Sequence, residues 1–282
     1  LLPRCTFPAP GTPVVCAVSG GADSSALLIL AVAAGLQVTA VHVDHGLRPG
    51  SHTEADLVAA MADRFGAAFR AERVHVDHGP NLEARARAAR RAVLPADAAT
   101  GHTADDQAET VLLHLMRGGA IGLAAMRPGP RHPILGLRRH ETRALCAELG
   151  VATVDDPSND DPSFTRNRVR HELLPLLDHI AARDLVPVLV RQADLLRDDH
   201  DLLDEWATAL DVTDARAVAA APLPLARRAV RAWLRGQHPP DAASVERVLD
   251  VARGVTEACE VVGGRRVWRS GQRLFLGEPG LR

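Results

Sequence analysis

Apolar positions between Thr12 and Arg117 fall into short β-branched runs separated by longer stretches with helical spacing. Thr12–Val18 is compact, apolar and opened by a proline region, which predicts a strand. Helix follows over Ser24–Ala34, and Gly35 is a natural stop. Leu36–Val43 is apolar on both faces, the pattern of a buried parallel strand. The alternation continues with a helix over Thr53–Phe65, a strand over Phe69–Val76 and a helix over Asn81–Val93 that Asn81 caps. A short strand over Ala96–Gly101 and a helix over Ala104–Arg117 complete it, with Val111, Leu112 and Leu115 on one helical face.

This alternation predicts an α/β fold with a parallel, doubly wound sheet. In such sheets ligands bind beyond the carboxyl ends of the strands, near the switch point. Four polar clusters stand at such ends: SGGADSS, GHTADD and two copies of the hexapeptide VHVDHG, at Val41–Gly46 and Val74–Gly79. From about Ala181 the pattern becomes mainly helical, over Leu185–Ala209, Leu223–Arg235 and Ala243–Arg253. A hairpin through Gly263-Gly264 joins Cys259–Val262 to Arg265–Trp268, with a further strand at Arg273–Leu276. The expected domains are therefore residues 1–180 and a mainly helical 181–282 that ends in short strands.

Composition removes several function classes. All 33 Lys+Arg residues are arginine, and tyrosine is also absent. A Walker A loop, a pyridoxal phosphate Schiff base and a protein kinase each need a lysine, so none is encoded here. Phosphate must be handled by backbone amides, arginine or metal. The net charge of −2 gives no global case for nucleic acid, so such a case rests on local patches. Cys5, Cys16, Cys146 and Cys259 are far apart, without zinc or redox spacing, and fit a reducing compartment. No cleavable signal pattern is read at the start, and the apolar Ala26–Val43 divides into a helix and a strand rather than a membrane span. A cytoplasmic protein without a membrane partner is expected.

Ser19-Gly20-Gly21-Ala22-Asp23-Ser24 lies between strand and helix. Its glycines let the backbone approach a ligand closely, and the helix start favours an anion. Asp23 is out of place beside an anion unless Mg²⁺ lies between them. Taken alone, Gly-Gly followed by Asp and Ser is an ordinary turn and helix cap. The whole motif in this position resembles the PP-loop ATP pyrophosphatase superfamily, whose fold is that of the adenine nucleotide alpha hydrolases. The resemblance implies ATP bound at the loop and cleaved between its α- and β-phosphates.

HVDHGLR (His42–Arg48), NLEARAR (Asn81–Arg87), GHTADDQAETVLLHLMRGG (Gly101–Gly119) and DDPSNDDPSFTRNRVRHELLPLL (Asp155–Leu177) follow in order. Together they resemble the tRNA(Ile)-lysidine synthetase family over about Val14–Leu177. The resemblance implies that ATP adenylates the wobble cytidine of an isoleucine tRNA with a CAU anticodon. The side-chain amine of free L-lysine then displaces AMP.

The same resemblance implies the site. Ser19, Gly20, Gly21, Ala22 and Ser24 would hold pyrophosphate, and Asp23 would bind Mg²⁺. His42 and Val43 would line the adenine pocket. Gly101 and His102 would lie beside the α-phosphate, His102 polarising it. Asp105, Asp106 and Glu109 would complete the Mg²⁺ shell, Asp106 as a second metal ligand, or hold the ammonium of lysine, and both roles stay open. Read alone, these acids only offset the helix dipole. Arg87, at i+4 from Glu83, Arg117, Arg166, Asn167, Arg168 and Arg170 would face tRNA or ATP phosphates, although a solvated charged face is the ordinary reading of such a run. A homodimer is compatible with the family.

The chain departs from the family pattern at Arg117–Leu123, where the glycines are shifted, and at His132-Pro133, where Arg-Pro is commoner. Trp206, Trp233 and Trp268 are expected in the core. Competing readings are a tRNA thiolase, which needs paired cysteines, and an amidating synthetase, against which HVDHGLR and the 166–171 segment speak. An inactive RNA-binding module would not be expected to keep its carboxylates. A metal hydrolase built on His42, Asp44, His45, His75, Asp77 and His78 is the last. The hexapeptides begin 33 residues apart, about one strand–helix unit, so the repeat is read as architecture, with the first copy functional and the second a look-alike.

Overall fold

A computed structural model describes residues 1–44, 46, 52–75, 82–118, 121–156, 160–236 and 240–277. Four strands form one parallel sheet: β1 (Pro13–Ala17), β2 (Gln37–Asp44), β3 (Ala68–Arg73) and β4 (Ala99–Thr100), in the order β3-β2-β1-β4. The expected α/β class and parallel sheet are present. α1 (Ala22–Ala33), α2 (His52–Phe65), α3 (Leu82–Val93) and α4 (Ala104–Met116) connect and follow the strands. Chain order reverses at β1, where β2 lies on one side and β4 on the other. This is the switch point, and the SGGADS loop leaves β1 there.

The core explains the order. Cys16, Val18, Leu27, Leu28, Val38, Ala40, Val58, Ile134 and Leu137 form one buried cluster between β1, β2 and their helices. Eight consecutive residues of α1, Ser24 to Ala31, are buried, so this helix is apolar all round. β3 is the exposed edge, with Arg70, Glu72 and Arg73 along it, and charges of this kind discourage edge-to-edge pairing.

Three of the differences from expectation bear on the site and the repeat. β4 is shorter than Ala96–Gly101, because Ala98 N–H turns back to the Pro95 carbonyl (3.1 Å) before pairing with β1 begins. β3 ends at Arg73, so the second hexapeptide does not finish a strand: Val74 and His75 lie beyond it, and positions 76–79 fall outside the described residues. Val74 N–H still donates to the Asp44 carbonyl at 2.9 Å, which ties the start of the second copy to the aspartate of the first. The third is α5 (Arg139–Glu148), which the hydrophobic pattern misses because only Thr142 and Cys146 are buried on it. It packs against α1.

α6 (Thr165–Arg168), a π turn (Val169–Leu173) and α7 (Leu174–Ala181) run end to end. Val169 and Leu174 pack with Ala104, Ala108 and Leu112 of α4 and with Val186 of α8 (Val186–Thr208).

Two compact units divide the chain at Leu1–Asp194 and Leu195–Arg282. The second holds α9 (Ala215–Ala220), α10 (Leu223–Trp233) and α11 (Ala242–Arg253), around a core of Val230, Leu234, Val245, Leu249 and Val267. Its antiparallel sheet is β5 (Ala258–Val261), β6 (Arg265–Ser270) and β7 (Arg273–Gly277), in that order. Trp233 packs on this core as expected, but Trp206 is 54% exposed. Trp268 stacks on Phe275 across β6 and β7, centroids 5.6 Å apart, with Phe275 at the surface. No helix among the described residues is long and apolar enough to cross a membrane.

Candidate active site

The loop after β1 is shaped by a left-handed glycine. Gly20 has φ +89°, and a Cβ there would meet Val154 Cγ2 at 3.1 Å. The Gly20 carbonyl accepts from Val154 N–H (2.9 Å), so the 151–156 segment braces the loop from outside. Ser19 N–H donates to Ser24 Oγ, and the two hydroxyls are 3.1 Å apart. No side chain caps the first turn of α1, whose N-cap is Gly21. Its free N–H groups and the positive end of its dipole are the physical requirement for an anion.

Gly101 shows a second close approach. A Cβ there would lie 2.8 Å from the backbone carbon and oxygen of Asp23. The end of β4 therefore touches the start of α1, and only glycine permits it. This brings Thr103 and α4 to the loop. Thr103 and Asp106 form a capping box, with Asp106 Oδ2 accepting from Thr103 N–H (2.9 Å) and hydroxyl (3.0 Å).

His42 is buried at the end of β2, its Nδ1 3.0 Å from the Val18 carbonyl. It thus supports the residue that precedes the loop, while Val43 beyond it is half-buried. His42→Ala should raise the KM for ATP about tenfold by loosening that support, a loss of roughly one hydrogen bond to a buried carbonyl. His75→Ala, on an exposed residue past β3, should change it by less than about twofold. Steady-state AMP release checks both.

The acids of α4 do not act as one group. Asp105 turns to Arg138, accepting from its Nε and Nη2 at 3.2 Å, and also from the Arg139 N–H at 2.8 Å. Arg138 also pairs with Asp184. Asp105 therefore joins α4 to the start of α5. Asp106 and Glu109 face the other way. The Glu109 side chain is 0% exposed, and Arg139, Arg166 and Arg170 all bind it, at 3.1, 2.7 and 2.7 Å. Asp106 Oδ1 takes Arg139 at 3.0 Å and Arg166 at 3.1 Å. Burial pushes the Asp106 carboxyl up, but Arg139, Arg166 and His102 outweigh it and hold it at about 2.

Asp23 is the exception. Burial raises its pKa and Asp106 adds to the rise, against a hydrogen bond from Thr142 and the charge of Arg139, 3.5 Å away. A carboxylate that burial and a like charge both disfavour gains from a cation.

The arginines of the 166–170 segment separate. Arg166 and Arg170, four apart, turn inward to the acids, whereas Arg168 pairs with Glu172 in solvent at 3.0 Å. The run is thus divided into two inward guanidiniums and one outward. Asn167 is buried and donates to the Asp161 carbonyl (2.9 Å), which holds the segment rather than a ligand. Arg117 is exposed just past α4, away from the acid cluster's hydrogen bonds. Arg87 lies on α3, its side chain outside the described residues, as do His45, Arg48, Asp77, His78, Asn81, Gly119 and Ala120.

His102, two residues past β4, has its Nδ1 2.7 Å from the Thr100 hydroxyl, which also meets His132 Nδ1 at 2.9 Å. The two imidazoles meet edge to face, centroids 5.1 Å apart. Among the described residues no group of three or more His, Cys, Asp and Glu could hold a metal by itself. Of the six residues of the hydrolase reading, His45, Asp77 and His78 lie outside the described residues.

Sequence reasoning missed Arg138, Arg139, Thr142 and the His132 partner. A signal existed at Arg138-Arg139-His140. Three basic residues at the positive end of a helix break the dipole rule, and such local conflicts mark functional sites.

The chain is similar to known proteins. Residues 5–177 match the PP-loop domain family. The chain is 45% identical over 245 residues to the tRNA(Ile)-lysidine synthase of Nocardia farcinica, covering 81% of this chain and 77% of that one. It is 42% identical over 283 residues to that of Mycolicibacterium paratuberculosis, covering 93% and 86%. The solved U34-tRNA thiolase NcsA from Methanococcus maripaludis, with its [4Fe-4S] cluster, shares the fold at a TM-score of 0.51 and 19% identity, covering 67% of this chain and 73% of that one. The chain belongs to the PP-loop domain family and, within it, to the tRNA(Ile)-lysidine synthases.

Proposed function

We infer that this chain is an ATP-dependent ligase that forms lysidine on tRNA(Ile), and we assign its residues the following roles. The observation that carries the assignment is the joining of the SGGADS loop to the Asp106–Glu109 pair within one buried network. One end suits a polyphosphate, and the other is a buried set of carboxylates paired with guanidiniums.

The cytidine carbonyl oxygen attacks the α-phosphorus of ATP, and pyrophosphate leaves. The amino group of L-lysine then attacks the activated ring carbon, and AMP leaves. The loop amides, Ser19 and Ser24 bind the departing pyrophosphate. His102, fixed by Thr100, donates to the α-phosphate. Asp106 and Glu109, whose oxygens are taken by guanidiniums, set the field of the site, and the lysine amine gives its ammonium proton to solvent before it attacks.

Mg²⁺ would neutralise charge on the pyrophosphate. Asp23 fits as its holder: its carboxylate is a quarter exposed, near an acid and disfavoured as an unpaired anion. Mg²⁺ commonly takes one or two carboxylates plus phosphates and waters, so a single protein ligand suffices. Asp106 fits less well, because both its oxygens already accept hydrogen bonds. It supplies field instead.

Arg168, exposed and paired with Glu172 across one helix turn, is assigned to tRNA phosphate. Arg168→Ala should weaken tRNA binding and reduce the slope of log affinity against log salt by about one. Filter retention across a salt series measures this. A homodimer and a cytoplasmic location accompany the reading, and sedimentation equilibrium would weigh the dimer.

The reading is tested by AMP release with ATP, Mg²⁺, L-lysine and a CAU-anticodon tRNA(Ile). Release should require both lysine and that tRNA. Turnover with ammonia or a sulfur donor in place of lysine would contradict it.

A further inference from the structure

Arg139 stands alone in touching both ends of the site among the interactions described above. Its Nε is 3.5 Å from Asp23 at the phosphate loop. Its Nη2 reaches Asp106 at 3.0 Å and Glu109 at 3.1 Å, and its Nη1 reaches Glu109 at 3.2 Å. The three acids come from two elements, α1 and α4, and the guanidinium from a third, α5.

Its placement is costly. The side chain is 15% exposed and opens α5 at the positive end of the helix, directly after Arg138. A buried cation there is opposed by burial and by the dipole together. Burial lowers the Arg139 pKa, and Asp106, Glu109 and Asp23 more than reverse this. The fold also fixes the backbone of Arg139: its N–H is held by Asp105, and its carbonyl accepts from the Thr142 hydroxyl at 2.8 Å. The same hydroxyl is the partner of Asp23. Both the head and the base of Arg139 are thus tied to the acid that faces the phosphate loop.

We propose that Arg139 is a positioning residue that holds the phosphate-loop acid Asp23 and the buried acids Asp106 and Glu109 at one fixed spacing. The proposal rests on the roles given above to those acids. A flat guanidinium has donors on three sides in fixed directions, so it sets the distance between the carboxylates as well as their charge. An ammonium supplies charge without that fork. Arg166 and Arg170 share Asp106 and Glu109 but are given no part at Asp23. They balance charge, and Arg139 alone sets the span from one end to the other. Misplacing a reacting group by about 1 Å costs rate rather than binding.

The test uses the full chain with ATP, Mg²⁺, lysine and tRNA. Arg139→Lys keeps the charge and should lower kcat about 100-fold, with KM for ATP and for lysine each within about threefold of the parent. In Arg139→Ala, millimolar ethylguanidinium should restore activity about tenfold, and ethylammonium should not, because only the former supplies the planar fork. Circular dichroism confirms folding of each variant, and if Arg139→Ala does not fold, Arg139→Lys decides alone. The proposal is overturned if Arg139→Lys keeps more than about a third of kcat. It is overturned equally if its losses lie in KM, or if a folded Arg139→Ala is rescued by both additives or by neither. A parent enzyme that releases AMP without lysine would instead overturn the assigned roles, which separates the two failures.

Discussion

Asp23→Ala should release AMP at least about 1,000-fold more slowly than the parent, while still retaining tRNA on a filter. Asp23 is the acid at the loop, and its contact with Arg139, at 3.5 Å, is longer than those Arg139 makes to Asp106 and Glu109. Its other oxygen accepts from Thr142. Burial and Asp106 both raise its pKa, so it is poised to gain from a cation brought in with ATP. Removing it takes away the only protein carboxylate assigned to the metal, and the pyrophosphate then leaves with uncompensated charge. Affinity for tRNA should survive, because that is carried by arginine on phosphate. Asp23→Asn should behave like the alanine variant, since it keeps size but not charge. Equal losses of AMP release and tRNA retention would show that the residue supports the fold instead.

Glu109→Ala should lose both ligation and much of the stability. Glu109 accepts five hydrogen bonds from three guanidiniums and has no exposure. Deleting one partner of a buried ion network leaves the others uncompensated, at a cost of about 3–5 kcal/mol. For a domain of this size the midpoint of thermal unfolding should drop by roughly 10 °C. Arg166 and Arg170 would lose their main anchor, so the α6 and π-turn segment should loosen with it. Glu109→Gln keeps the volume and one acceptor oxygen and should recover part of the stability but little of the ligation. Unfolding followed by circular dichroism, beside lysine-dependent AMP release, separates the two effects. A Glu109→Ala protein as stable as the parent would contradict the buried network.

The parts of the fold legible in the sequence are those governed by local rules. Strand–helix alternation and Gly20, Gly35 and Gly101 marked β1, α1, β2 and the switch point, because burial on both faces and tight turns leave direct traces. The acids of α4 were visible as a cluster, yet their division was not. Asp105 and Asp106 are neighbours in sequence but face opposite arginines, and that choice belongs to α5. α5 itself was invisible because its apolar stripe is short, with Cys146 its buried apolar residue. Arg139 went unread for the same reason: its partners are 30 to 116 residues away in sequence and tertiary contact alone unites them. The VHVDHG repeat misled in the opposite direction. Identical letters end a strand in one copy and follow a shorter strand in the other, since pairing of β3 with β2 stops at Arg73. His42 is a buried support for the loop.

The most direct measurement is of the tRNA itself. The full chain, ATP, Mg²⁺, L-lysine and tRNA(Ile) with a CAU anticodon are incubated, and the tRNA is digested to nucleosides for mass spectrometry. The account predicts that the wobble cytidine is replaced by a nucleoside heavier by one lysine less one water, in amounts that match the AMP released. Unchanged cytidine beside continuing AMP release, or a product carrying sulfur or ammonia nitrogen in place of lysine, would contradict it.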